Sequence, residues 1–181
     1  CSYSAPPHLA MWLEGTPAEV RRSLEDWERM AVFYVKICGQ GRGTVRTMPI
    51  LGDAFVRYTT HQKDFIALGE GLCRLTQALF AAGATEVHSP LPGGDPLTKV
   101  GDAEGLRGVL NGRNASLSAI HLHSTVRMGD SERSGADSHG KLYGAHNVWV
   151  NDSSLLPTSP GVNPQGTIMA IARRNVLRWL N

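Results

Sequence analysis

Apolar residues recur every three to four positions after residue 19, which is the spacing of one buried helix face. The members of this stripe are Val20, Leu24, Trp27, Ala31 and Tyr34. Thr16, Pro17 and Glu19 form the combination that pairs the open amides of a helix start. The pattern therefore predicts a helix that begins after Thr16 and ends near Gly39.

A second helical pattern covers residues 61–82 and stops at Gly83, a residue suited to a helix end. Its predicted buried stripe consists of Phe65, Leu68, Leu72, Leu75 and Leu79. Cys73 falls inside the same pattern. Because free cysteine packs like a small hydrophobic residue, we expect Cys73 in the core.

The residues between these two patterns are rich in β-formers. They predict strands at 44–47 and 54–58, joined by a turn at 49–53. Gly39, Gly41 and Gly43 do not have the spacing GxGxxG, and they follow a predicted helix rather than a strand. We therefore interpret them as a turn and not as a dinucleotide-binding loop.

The remaining pattern predicts shorter elements separated by loops. We expect a short strand at 86–88, a loop at 89–96, a short helix at 102–110, a polar surface excursion at 129–144 and a strand at 148–150. A final helix at 164–180 has as its main apolar positions Ile168, Ile171, Ala172, Val176 and Leu180. Strands and helices mix without regular alternation, so the predicted fold class is α+β.

Composition narrows the class of protein. The 181 residues, 41% hydrophobic and 19% charged, are typical of a soluble globular chain with one domain, or one domain and part of another. A net charge of +2 argues against nucleic-acid binding, and no apolar run approaches the roughly 20 residues of a membrane span. No signal peptide is recognisable. The localisation is left unknown, with a soluble, cytoplasmic protein favoured over the alternatives.

The chain begins at Cys1 rather than at Met, which suggests a fragment, or the second piece of a cleaved or two-chain protein. Its three cysteines, Cys1, Cys38 and Cys73, are too few and too scattered for a disulfide scaffold or a zinc ribbon.

Two histidines are the first candidates for chemistry. His121 and His123 flank Leu122, so both would point to one face of an extended segment. That pair could hold a metal, but the other histidines lie at no useful ligand spacing, so we predict no metal site. Two alternatives remain, a hydrogen-bonded histidine beside a polar loop or an acid/base group, since histidine titrates near neutrality.

Asn163 and Pro164 mark the start of the last predicted helix. In one interpretation Asn163 simply caps the helix, with Pro164 at its first position. In the other, the open amides and partial positive charge of the helix start receive an electron-rich ligand, and Gly166 allows a close approach. Asp152 and Ser153 follow a predicted strand, where polar side chains commonly face a ligand or cap a turn.

Taken together, these groups resemble the C-terminal signature of the glucose-methanol-choline (GMC) oxidoreductases, an FAD-dependent family that mostly oxidises alcohols. His121 lies four residues before Thr125 in a run, Ser-Thr-Val-Arg-Met-Gly, similar to the family's G-T-C-R-M-G. Residues 151–157 resemble V-D-x-S-x-x-P, and residues 163–172 resemble N-P-x-x-T-x-M-A-x-A. The departures are Ser124 for Gly, Val126 for Cys and Asn151 for Val.

The resemblance covers about residues 41–180 and implies a division of the chain. Residues 1–145 would form a substrate-binding domain, a sheet flanked by helices with residues 1–15 peripheral. Residues 146–181 would return as a strand and a helix that complete an FAD-binding α/β domain. The family's N-terminal GxGxxG and βαβ unit are not in this sequence. We therefore expect an N-terminal FAD-binding half, on a separate chain or a cleaved segment, as partner.

The resemblance also implies roles for individual residues. His121 would accept the hydroxyl proton of a small-molecule alcohol while hydride leaves for the flavin, and Asn163 would hold the alcohol oxygen. The expected cofactor contacts are Asp152 and Ser153 near the ribityl and pyrophosphate part of FAD, and Asn163, Pro164, Gln165, Gly166 and Thr167 near the flavin ring.

Three alternatives stay open. They are an FAD-containing lyase without net redox chemistry, a non-catalytic subunit, and a histidine metal protein. His123 is left as a supporting or structural residue. The substrate, the electron acceptor and the oligomeric state are also open.

Overall fold

The computed structural model describes residues 5–13, 15–49, 52–89, 91, 94–115 and 117–180. Two compact units divide them, one formed by residues 5–42 and 59–117 and the other by residues 43–58 and 118–180. The α-helices are α1 (Pro6–Ala10), α2 (Pro17–Ser23), α3 (Gln62–Ala81) and α4 (Gln165–Trp179), and the strands are β1 (Arg42–Thr47) and β2 (Ala54–Thr59). Short 3-10 helices cover Leu24–Arg29, Val100–Leu106 and Ser153–Leu155. Helices with one two-stranded sheet confirm the α+β class for the described residues.

Helix α2 begins where the sequence predicts. The Thr16 hydroxyl accepts a hydrogen bond from the Glu19 amide at 3.4 Å, and the Glu19 carboxylate accepts one from the Thr16 amide at 2.7 Å. The predicted continuation to Gly39 is wrong. The helix ends at Ser23, and after the 3-10 turn residues 30–41 have no regular structure.

The segment after residue 30 is held along α3 by specific contacts. The amides of Gln40 and Gly41 donate to the Asp64 carboxylate at 2.8 and 3.1 Å. Val35 packs so closely on Gly71 that a side-chain carbon there would lie 2.4 Å from a Val35 methyl. These contacts tie the irregular segment to the start and the middle of α3.

Helix α3 confirms the predicted limits to within one residue. His61 caps it by accepting from the Lys63 amide at 3.1 Å, and buried Asp64 accepts from the His61 amide at 3.1 Å. Burial alone would raise the pKa of Asp64, but the backbone amides of Gln40, His61 and Gly41 together hold that pKa below its ordinary value. The helix start is thus pinned by one carboxylate with three amide donors.

The buried line of α3 differs from the predicted leucine stripe. Phe65, Gly69, Cys73 and Thr76 are buried, whereas the four predicted leucines are only half-buried. A side-chain carbon at Gly69 would lie 2.8 Å from the Leu106 carbonyl, so glycine lets the 3-10 helix approach the α3 backbone. The expectation for Cys73 is confirmed, because its thiol is fully buried.

The β1–β2 hairpin confirms both predicted strands in the second unit. At its tip the Met48 amide donates to the Asp53 carbonyl at 2.8 Å, and Gly52, with φ +71°, donates to the Met48 carbonyl at 3.0 Å. Part of the predicted 49–53 turn lies outside the described residues. Every residue of both strands is exposed.

Several of the shorter predicted elements need correction. Residues 86–88 and 148–150 do not form strands but contribute single bridges, Val87 with Leu97 and Lys141 with Trp149. The predicted helix at 102–110 is the 3-10 helix Val100–Leu106. The predicted loop at 89–96 lies partly outside the described residues.

Residues 129–144 are not a simple surface excursion. Ala136 within this stretch is fully buried and bridges both Met128 and Leu142. The Tyr143 hydroxyl also donates to the Gly129 carbonyl at 3.1 Å. The polar, glycine-rich composition concealed this folded loop because backbone bonds hold it and only one small side chain fills its interior.

Helix α4 confirms the final predicted helix. Ile168, Ile171 and Ala172 are half-buried, but Val176 and Leu180 are exposed, and the described helix buries only Asn175 completely. The chain therefore presents apolar side chains of α4 outward. No helix in the described part of the chain has the length and hydropathy needed to cross a membrane.

Candidate functional site

A cleft of about 340 Å³ opens at the start of α4 within the second unit. Its lining consists of His121, Asn163, Pro164, Gln165, Ile168 and Met169. The structure thus brings together the two residues predicted to be catalytic, although 41 sequence positions separate them. Three of the predicted cofactor residues, Asn163, Pro164 and Gln165, also line this cleft.

The segment that carries His121 is fixed by the turn at residues 152–157. The Ser153 hydroxyl donates to the Leu122 carbonyl at 3.1 Å, and the Ser124 hydroxyl lies 2.8 and 3.0 Å from the carbonyl oxygens of Leu156 and Pro157. Further along, the amides of Val126 and Met128 donate to carbonyls of the same turn, at Ser154 and Leu155. Because Leu155 and Leu156 are buried, the histidine segment is tied to a core element.

The two histidine rings lie parallel. The ring centroids of His121 and His123 are 6.4 Å apart, with an angle of 11° between the planes. Both ring nitrogens of His123 are buried and have no hydrogen-bond partner among the described residues. Among the residues that the structure describes, no three or more potential metal ligands lie together, so none of them forms a metal site around this histidine pair.

The start of α4 differs by one residue from the predicted cap. Pro164 occupies the capping position and Asn163 precedes it, so the interpretation of Asn163 as the N-cap is not supported. The first helical bond runs from the Ile168 amide to the Pro164 carbonyl at 2.9 Å. The amides of residues 165–167 come before that bond, so the helix cannot satisfy them by itself. The partial positive charge of a 15-residue helix is therefore directed toward the cleft.

The other predicted cofactor residues lie outside the lining of the cleft. Gly166 and Thr167 follow Gln165 in the first turn of α4 and are exposed. The Asp152 carboxylate accepts a hydrogen bond from the Ser154 amide at 2.7 Å and caps the 3-10 helix Ser153–Leu155. Together with the Ser153 bond to Leu122, this makes the Asp152 turn a support of the histidine segment.

Sequence reasoning missed the polar anchor of α4. The fully buried Asn175 donates through Nδ2 to Asn151 Oδ1 at 3.2 Å and accepts from Arg174 Nη2 at 2.8 Å. Asn151 in turn donates to the Ala172 carbonyl at 3.4 Å, and Arg174 also donates to the Ser138 carbonyl. The available signal was Asn151 itself, which stands where the signature has an apolar residue.

The protein-family model for GMC oxidoreductases matches residues 42–172, from the first residue of β1 to the middle of α4. This match covers most of the chain and includes every residue that lines the cleft. The chain belongs to the GMC oxidoreductase family. It represents the C-terminal portion of a GMC protein, and the match confirms the resemblance drawn from the three motifs.

Relatives extend the likeness to nearly the whole chain. An uncharacterized GMC-type oxidoreductase of Mycobacterium tuberculosis is 36% identical over 171 residues, covering 93% of this chain and 27% of the relative. A second, from Sinorhizobium fredii, is 37% identical over 153 residues, covering 83% and 30%. A long-chain-alcohol oxidase of Arabidopsis thaliana is 29% identical over 179 residues, covering 91% and 23%. No solved structure matches the chain.

The chain therefore spans about a quarter to a third of the length of these GMC relatives.

Proposed function

We propose that this chain carries the acid/base half of the active site of an FAD-dependent GMC oxidoreductase that oxidises the CH–OH group of a small-molecule alcohol. The observation that carries the proposal is the cleft in which His121 and Asn163 meet at the start of α4. An imidazole and a carboxamide on one cleft wall can divide the work of removing a proton and holding an oxygen. The similarity to a long-chain-alcohol oxidase of Arabidopsis agrees with this substrate class.

The residues present suit a flavin. Pro164, Ile168 and Met169 give the cleft an apolar side that a flat ring system could cover, and the first-turn amides of α4 suit an electron-rich edge. Bound FAD would supply the two-electron acceptor that takes up the hydride from the carbinol carbon. Gln165, Gly166 and Thr167 would place their amides where the helix dipole favours negative charge.

His121 is the proposed general base. It would accept the proton of the substrate hydroxyl as the carbinol C–H bond breaks, so that the alcohol leaves as a carbonyl compound, having lost one proton and one hydride. The clamp from Ser153 and Ser124 fixes the main chain on the C-terminal side of His121. A base held in this way needs little reorganisation before the proton moves.

Asn163 is the proposed oxygen-binding residue. The cap of α4 is Pro164, so the helix does not assign Asn163 to the capping position, and Asn163 lines the cleft together with His121. Its carboxamide would donate to the alcohol oxygen and orient the C–H bond. Asp152 and Ser153 are proposed to support this site through their local hydrogen bonds and to lie near the ribityl and pyrophosphate part of FAD.

The nucleotide-binding half would come from an N-terminal segment, on the same or another polypeptide. In support, the chain spans 27% of its Mycobacterium relative, and the described strands and α4 have apolar side chains without cover. In this proposal residues 146–181 complete the FAD-binding domain of that segment, and residues 1–145 contribute to the substrate-binding domain. The chain together with this segment is called the assembled protein below.

The proposal is tested by His121→Gln in the assembled protein. Gln retains a polar side chain but is not a base, so the rate constant of flavin reduction by a primary alcohol should fall by about 100-fold or more, while bound FAD stays at one per chain. Stopped-flow absorbance measures both. A wild-type rate in the His121 variant would refute the assignment of the base, and a wild-type protein whose flavin no alcohol reduces would favour the lyase or the non-catalytic subunit.

A further inference from the structure

His123 is placed differently from His121 despite the short separation between them. His121 lines the cleft, whereas the cleft lining given by the described residues does not include His123. Both His123 nitrogens are buried, while Leu122 between the two histidines is 63% exposed. The His121 imidazole therefore lines the cleft, whereas the His123 nitrogens are buried outside the described lining.

Among the described residues, His123 has no partner to which it could pass a proton. A general acid or base must lie within hydrogen-bond reach of its partner, directly or through one water. Neither ring nitrogen has a hydrogen-bond partner among the described residues, and neither is accessible to solvent. Each buried polar atom without a hydrogen-bond partner costs about 1–3 kcal/mol. The buried position of His123 therefore calls for a contribution other than hydrogen bonding.

The geometry provides such a reason. The two imidazoles are parallel to within 11°, and their 6.4 Å separation lies within the range of aromatic pairs. Ser153 and Ser124 hold the main chain at Leu122 and after His123. A flat ring beside the His121 imidazole would restrict the orientation of that imidazole.

We propose that His123 is a positioning residue whose ring plane fixes the orientation of the His121 imidazole in the cleft. This inference rests on the proposed role of His121. It assigns to His123 a contribution that depends on a flat ring and not on its nitrogens. A planar ring without nitrogens should therefore replace it, whereas a branched aliphatic side chain of similar volume should not.

The test compares His123→Phe with His123→Leu in the assembled protein. The Phe variant should keep the limiting rate constant of flavin reduction within about 3-fold of wild type. The Leu variant should lose about 10- to 100-fold in that rate constant, because misplacement of a reacting group by about 1 Å costs up to about 100-fold. KM should change less than about 2-fold in both, since neither change touches the substrate.

The outcomes separate the alternatives. Equal losses in both variants would show that the nitrogens matter and would overturn the inference. Wild-type rates in both would overturn it as well, since a purely structural residue would alter stability without altering the rate constant. If His121→Gln does not slow flavin reduction, the proposed function is refuted. The proposal that His123 orients the His121 ring is then decided by a second measurement.

That second measurement is independent of activity. Diethylpyrocarbonate acylates accessible imidazole nitrogens, and peptide mass spectrometry distinguishes the two histidines. In the wild type His121 should react and His123 should stay protected, and the acylation rate of His121 should differ between His123→Leu and His123→Phe. Equal rates for His121 and His123 in the wild type, or for His121 in both variants, would contradict the inference even if the Phe variant were unstable.

Discussion

Ser124 is the residue at which backbone geometry and side-chain chemistry conflict. Its φ of +69° lies in the left-handed region, where a side chain costs roughly 1–2 kcal/mol and where the GMC signature has glycine. The Ser124 hydroxyl offsets part of this cost through its bonds to the Leu156 and Pro157 carbonyls. Ser124 departs from the signature, and its hydroxyl ties the histidine segment to the turn at residues 152–157.

This compensation gives the first prediction. Ser124→Ala keeps the left-handed strain and loses the hydroxyl bonds, so we expect the assembled protein to lose about 1–2 kcal/mol of unfolding free energy. Ser124→Gly loses the same bonds but removes the strain, so its change should stay within about 0.5 kcal/mol. Urea unfolding measures both. An alanine variant as stable as the glycine variant would contradict this account.

Asp64 gives a prediction for acid conditions. Its pKa is lowered in the folded state, so its contribution to stability is present above the unfolded pKa of about 3.9 and is lost as pH falls through the lower folded value. Asp64→Asn should cost about 1.5–3 kcal/mol near pH 7, because it removes one of the acceptor oxygens that receive the Gln40, Gly41 and His61 amides.

Amide hydrogen exchange at Gln40 and Gly41 gives the local measurement for Asp64. At pH 7, exchange at these two amides should be faster in Asp64→Asn than in the wild type. Near pH 2, after correction for the intrinsic exchange rate, the wild type and the variant should exchange at similar rates. The exposed acid Asp95→Asn serves as a matched control. A difference between wild type and Asp64→Asn that did not diminish with acid would exclude the proposed linkage.

At the level of elements, α4 owes its position to a buried polar network rather than to its apolar stripe. Asn175 joins Asn151 and Arg174, and a side-chain carbon at the neighbouring Gly140 would lie 2.3 Å from the Val150 carbonyl. An apolar contact could shift by an ångström with little loss, but a chain of directional bonds cannot. The network therefore also sets the position of the first turn, where the cleft lies.

The third prediction concerns this network. Asn175→Leu alone should destabilise the assembled protein by about 1–3 kcal/mol, because the Asn151 amide and the Arg174 guanidinium lose a buried partner. Asn151→Val restores the apolar residue of the GMC signature, so the double variant should be more stable than the sum of the two single changes predicts by at least about 0.5 kcal/mol. Strict additivity in chemical denaturation would show that the two amides do not act as a unit.

The elements also show which signals a sequence carries. Local chemistry predicted the α2 start, the end of α3 and the two strands, because a capping box, a stop glycine and a β-rich run each act over a few residues. The predicted extension to Gly39 is wrong, and the irregular segment instead contacts α3, where Val35 packs on Gly71 and the Gln40 amide bonds to Asp64, 24 residues away. Local periodicity carries no information about contacts at that sequence distance.

The candidate site was predictable to a similar degree. Motif spacing located His121 and Asn163, and the cleft joins them. The clamp through Ser153 and the buried nitrogens of His123 could not be anticipated, because each depends on the turn at 152–157 meeting the histidine segment in space. Sequence thus located the proposed reacting groups, and the three-dimensional structure reveals the contacts that hold the segment around them.

For the whole molecule, uncovered apolar surface is the dominant feature. In the β1–β2 hairpin, about half or more of the surface of each of four large apolar residues is exposed, namely Val45, Phe55, Val56 and Tyr58. Isolated two-stranded hairpins are at best marginally stable in water, and exposed apolar ribbons are sites of association. In the proposed assembly an N-terminal segment would cover such surfaces.

The fourth prediction follows from that surface. The 181-residue chain produced alone should associate or unfold without cooperativity and should retain no FAD on gel filtration, whereas joining it to an N-terminal FAD-binding segment should give a yellow, cooperatively unfolding protein. As a matched pair, Phe55→Ser should reduce association of the isolated chain more than Thr44→Ser, since only the first removes a large apolar group. A monomeric isolated chain that binds FAD would contradict the proposed division of labour.

The buried thiol of Cys73 can be used to monitor local opening of the first unit. Burial raises the pKa of this thiol, and the Glu104 carboxylate, 3.7 Å from Sγ, adds to the effect, so little thiolate is present to react. Cys38, by contrast, is exposed. Under pulsed alkylation Cys38 should be labelled at once and Cys73 only when α3 separates from the 3-10 helix Val100–Leu106. The delay between labelling of Cys38 and labelling of Cys73 therefore measures how fast that separation occurs.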